Sequence, residues 1–94
     1  MAARFGDMLL EQRRRMGLSI QQVANTIKIR PQIIEFFENG NFASMPPRGY
    51  AQGMISSYAR FLGLNPREVV NAYFDDLMAY ERETSQQGGR FQDA

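Results

Sequence analysis

The sequence predicts an all-α domain of five helices built around a helix-turn-helix, with a flexible C-terminal tail. Three observations carry that prediction. Apolar residues recur at helical spacing through most of the chain. Good stop and start residues divide the pattern: Gly17 with Ser19, Pro31, Asn39-Gly40, and Gly63 with Asn65-Pro66. The length, 94 residues, suits one domain. The expected division is a helical domain over 1–84, with helices at about 4–16, 19–27, 31–38, 48–62 and 66–80, and a tail or linker over 85–94.

In the first helix Phe5, Leu9, Gln12, Arg13 and Met16 recur on one face, and Arg14 and Arg15 lie on the open one. Gly17 ends it as a left-handed residue would. Ser19 reads as the N-cap of the second helix, and Gln22 completes a capping box. That helix buries Val23, Ala24 and Ile27. Pro31 suits the first turn of the third helix, which buries Ile34 and Phe37 and stops at Asn39-Gly40. Two short helices joined by three or four residues make a helix-turn-helix. Residues 41–47 read as an extended connection pinned to the core by Phe42. The fourth helix carries Tyr50, Met54, Ile55, Tyr58, Phe61 and Leu62, and Gly53 reads as permitting close helix packing. Asn65 caps the fifth helix, with Pro66 at its first position, Glu68 in the first turn, and Val69, Val70, Tyr73 and Leu77 on one face. After Thr84 the composition cannot bury a core and reads as disordered.

Composition bounds function from the negative side. The chain has no Cys and no His, which removes the commonest metal ligands, thiol nucleophiles and the usual general base. No clustered Asp/Glu motif compensates, so neither an enzyme nor a cofactor or small-molecule substrate is expected. No signal peptide opens the sequence and no apolar run approaches a membrane span, so a cytoplasmic location is expected. The net charge is +1, well short of the basic footprint of an autonomous DNA-binding domain. Residues 19–41, which hold the helix-turn-helix, are neutral: Lys28 and Arg30 balance Glu35 and Glu38.

Leu18-Ser19-Ile20-Gln21-Gln22-Val23-Ala24 through Glu38-Asn39-Gly40 resembles the lambda-repressor-like helix-turn-helix class. The resemblance implies that Arg13 and Glu38 form a buried structural pair tying the first helix to the third. It also implies a DNA-binding alternative, whose reading residues would be Gln21, Lys28, Arg30, Gln32, Ile33 and Phe36. The reading head departs from what DNA needs. Base edges are read by Arg, Lys, Asn or Gln with cations nearby, and the third helix turns outward Gln32, Ile33, Glu35 and Phe36. Only Gln32 is of that kind. Ile33 and Phe36 either pack beneath the 41–47 connection or form an exposed partner patch.

The segment that follows narrows the resemblance. Phe42-Ala43-Ser44-Met45-Pro46, then Tyr50-Ala51-Gln52-Gly53-Met54-Ile55-Ser56-Ser57-Tyr58-Ala59-Arg60-Phe61-Leu62-Gly63-Leu64-Asn65-Pro66, is similar to the cytoplasmic domain of the RodZ family. The resemblance covers roughly residues 6–75. It implies a bacterial cell-shape adaptor that binds the actin-like filament protein MreB, anchored to the inner membrane by a segment beyond this chain. The implied contact is an aromatic pair one turn apart on the fourth helix, here Tyr50 and Met54, so the second aromatic is replaced by a thioether. Ser56 and Ser57 stand where the family is often basic. Independently of the resemblance, Tyr50, Met54 and Ser57 form one row on a helix, and an aromatic beside a flexible Met suits a binding hot spot. Arg48, at the start of the same helix, completes the candidate partner-binding set.

Overall fold

The computed structural model describes the backbone from Arg4 to Asp93 and the side chains from Arg4 to Thr84. Five α-helices and one short 3-10 turn make up the described residues: α1 (Arg4–Arg15), α2 (Ile20–Ile27), α3 (Pro31–Asn39), the 3-10 turn (Phe42–Ser44), α4 (Arg48–Phe61) and α5 (Pro66–Asp93). The fold is all-α, as the sequence predicts.

Local chemistry explains most of the boundaries. Ser19 Oγ accepts from the Gln22 N–H at 3.0 Å, and Gln22 Oε1 accepts from the Ser19 N–H at 2.7 Å, so the expected capping box starts α2. Pro31 sits in the first turn of α3, where a missing N–H costs nothing. Asn65 Oδ1 accepts from the Arg67 N–H at 2.9 Å and caps α5. Gly17, Gly40 and Gly63 all take positive φ at helix ends. Lys28 does the same after α2, at φ 62°.

Four expectations change, the last of them at Gly53 on α4. α1 ends at Arg15, and Met16 lies beyond it, 45% exposed, off the buried face. The 41–47 connection is not extended throughout, because Phe42–Ser44 closes a 3-10 turn. The α5 backbone remains helical to Asp93, past the expected end near Tyr80. The flexible tail expected over 85–94 falls where side chains lie outside the described residues.

The core is one cluster. Phe5, Leu9, Val23, Ile34, Phe37, Ile55, Tyr58, Leu62, Val69 and Tyr73 are all buried, and each large apolar side chain contributes about 1.5–3 kcal/mol. α1 packs on α5 and α3, and α4 packs on α5 and α2. Gly6 makes the α1–α3 contact possible: a Cβ there would lie 2.5 Å from the carbonyl oxygens of Phe37 and Glu38. Gly53, expected to play that part on α4, faces open space. α1 takes a cap from outside its own segment, since the Phe5 N–H donates to Asp76 Oδ2 at 2.9 Å.

Candidate interaction surfaces

The pair expected between Arg13 and Glu38 is present and larger than a pair. Arg13 Nε donates to Glu38 Oε2 at 2.8 Å and Arg13 Nη2 donates to Oε1 at 3.0 Å, a bidentate fork. The Tyr58 hydroxyl also donates to Oε2, and Arg13 Nη1 donates to the Leu18 carbonyl at 2.9 Å. Glu38 is only 5% exposed, and every buried side-chain polar atom among the described residues has a partner. The network therefore ties α1, the turn before α2, α3 and α4 together. Burial, and then the Glu38 carboxylate, push the Tyr58 phenol above its ordinary range, while the hydrogen bond to Glu38 raises Arg13. Helical spacing puts Tyr58 among the apolar positions of α4 but does not reveal this network. The available signal was its hydroxyl, which needs a partner once buried.

On the helix-turn-helix, Gln21, Lys28, Arg30 and Gln32 are exposed. Gln21 Nε2 donates to Asn25 Oδ1 at 3.0 Å, which engages its amide along α2. Ile33 and Phe36 are half-buried, and Ile33 packs against the core. The Phe36 carbonyl accepts from the Asn41 N–H at 2.9 Å, so the chain turns back over the end of α3. These two residues thus resolve to partial cover, neither a free patch nor true core. Glu35 is exposed beside Gln32 and sets a negative charge on the face that would meet phosphates.

On α4, Tyr50 is 70% exposed and Ser57 is exposed, while Met54 is half-buried against the core. Tyr50 is thus free of the packing against α5 that its apolar character would also have allowed. Arg48 is exposed, and its Nη2 lies 3.5 Å from Glu81 Oε2 on α5, a pair worth about 0–1 kcal/mol at this exposure. Arg48 therefore reaches α5 while Tyr50, Met54 and Ser57 share their row on α4. Among the described residues no helix is long and apolar enough to cross a membrane.

Against known proteins, a family model described as a helix-turn-helix domain matches residues 8–69. An uncharacterized protein of Haemophilus influenzae is 37% identical over 60 residues, a stretch covering 63% of this chain and 20% of that relative. The chain thus spans about one fifth of that protein's length. Among solved structures, the fold is similar to YmfM, a candidate DNA-binding membrane protein from Staphylococcus aureus, with a TM-score of 0.70 and 25% identity. That match covers 77% of this chain and 88% of the other.

Proposed function

This chain belongs to the helix-turn-helix domain family, and we propose that it is a non-catalytic, RodZ-like adaptor that docks the Tyr50 face of α4 on an MreB-like filament. The observation that carries the reading is Tyr50 itself. A large aromatic, 70% exposed on a rigid helix, is available for burial by a partner. Met54, one turn on, supplies an adaptable apolar shoulder, and Ser57 leaves the row open for close approach. The outward side of α3, by contrast, offers two exposed residues of base-reading type, Gln32 and Asn39, with the Glu35 carboxylate between them. In this reading the domain works at the cytoplasmic face of the inner membrane, held there by a segment outside this chain, and it needs no metal, cofactor or small-molecule substrate.

Cosedimentation with polymerised MreB tests the proposal. Tyr50→Ala should weaken binding by about 2 kcal/mol or more, roughly thirtyfold, while the melting temperature stays near wild type. Normal binding by Tyr50→Ala would overturn the site.

A second reading, sequence-specific DNA binding, draws on the exposure of Gln21, Lys28, Arg30 and Gln32 and on the description of YmfM. A titration with mixed duplex DNA across salt concentrations separates the two. A logarithmic salt slope of several phosphate contacts favours the DNA reader, and a slope near zero favours the adaptor.

A further inference from the structure

The side of α4 turned away from Tyr50 borders a second surface. At about 100° per residue, Gln52 and Ser56 lie some 120–160° around the helix from Tyr50. With Arg67, Val70, Asn71 and Phe74 of α5 they line a cleft of about 600 Å³. Its floor is apolar, since Val70 and Phe74 are half-buried against the core. Met78, 56% exposed, continues that row one turn further along α5. Apart from Arg67, the walls of the cleft are the amides of Gln52, Asn65 and Asn71, the Ser56 hydroxyl and Pro66.

Among the described residues, the charge in the lining of this cleft has one sign. Of those described residues Arg67 is the only charged one in its lining, and Arg60, exposed one turn beyond Ser56, stands at the same end. No carboxylate among the described residues lines it. Glu68 and Asp75 instead border a neighbouring cleft on the α1 side, with Arg4 and Met8, and Asn71 divides the two. Two antiparallel helices that leave an apolar furrow between them offer the geometry into which a third helix packs its ridge. The basic end selects the sign of what enters.

We infer that the α4–α5 cleft is a docking groove for an acidic amphipathic helix of a partner protein. The apolar face of that helix lies on Val70, Phe74 and Met78, and its carboxylates meet Arg67 and Arg60. Because Tyr50 points elsewhere, the groove stays open when the Tyr50 face is occupied.

The test uses two fluorescein-labelled helical peptides of about four turns, one with Leu at i, i+3, i+4 and i+7 and Glu elsewhere, the other with Lys in place of Glu. The acidic peptide should bind the 94-residue chain and shift the backbone amide resonances of Gln52, Ser56, Val70, Asn71 and Phe74. Arg67→Glu should weaken it by roughly tenfold or more, the loss of a charge-assisted contact. This variant keeps the fold because a carboxylate is favoured in the first turn of a helix. Ser56→Trp, which fills the cleft from α4, should weaken it as well, and Tyr50→Ala should leave it unchanged. The inference is overturned by absence of binding, by equal affinity for the basic peptide, by shifts confined to the Tyr50 row, or by wild-type binding in both cleft variants.

Discussion

The Tyr58 hydroxyl turns a two-residue ion pair into a junction of four segments, and it makes that junction sensitive to alkali. In the unfolded chain the phenol titrates near pH 10. In the fold, burial and the Glu38 carboxylate hold its proton on to higher pH. The contribution is therefore fully present below about pH 10 and is lost as pH climbs through the raised folded value. Denaturant unfolding measured across alkaline pH should show stability falling above about pH 10. In Tyr58→Phe that fall should be shallower, on a baseline lowered at neutral pH by about 1.5–3 kcal/mol, the worth of a hydrogen bond to a charged group. Some slope should persist, because burial also raises Tyr73. The Arg13–Glu38 pair was legible through resemblance of the flanking residues to a known class. The third member was not, because a periodic pattern records that Tyr58 faces inward and says nothing of what its oxygen meets.

Among the elements, the turn of the helix-turn-helix carries a removable strain. Lys28 holds φ 62° at the end of α2, where a β-carbon crowds the backbone and glycine does not. Lys28→Gly should raise stability by about 0.5–1 kcal/mol and the melting temperature by a few degrees, as calorimetry would read. A fall instead would mean that the Lys28 side chain contributes more than its backbone costs. Helix starts were the most legible feature, since Ser19, Pro31 and Asn65 each act through atoms within three residues of themselves. Features set by distant partners were not. Gly6 reads as an ordinary early residue until α3 is laid against it, and the tempting alternative, Gly53, touches nothing. α5 also continues past Tyr80 to at least Thr84, where the sequence loses the apolar rhythm by which a helix is recognised.

Over the whole molecule, the connection after α3 does more than link two halves. Phe42 lies 5.8 Å from the Phe5 ring, 6.3 Å from Tyr73 and 5.2 Å from Tyr80, ring centre to ring centre. Phe42→Ala should cost about 2–3 kcal/mol, below the full value for a buried Phe because the ring is half covered. Faster amide exchange should then appear in α5 around Tyr80, and exchange confined to residues 41–47 would contradict that role. Pinning by Phe42 was read from the sequence, but its partners on α1 and α5 were not, because they come from opposite ends of the chain. The candidate site was partly legible in the same sense: the row of Tyr50, Met54 and Ser57 follows from helical spacing, whereas the opposite cleft exists only once α5 has returned along α4. The bond from the Phe5 N–H to Asp76 spans 71 positions, and it bears on synthesis. A ribosome delivers α1 before the helices it packs on, yet the residue that completes its first turn emerges only with α5. Until α5 arrives, water takes the place of Asp76 at that donor and α1 and α4 lack the helix they pack on, so this domain should acquire its native form late, after α5 has left the exit tunnel, rather than helix by helix as it is made.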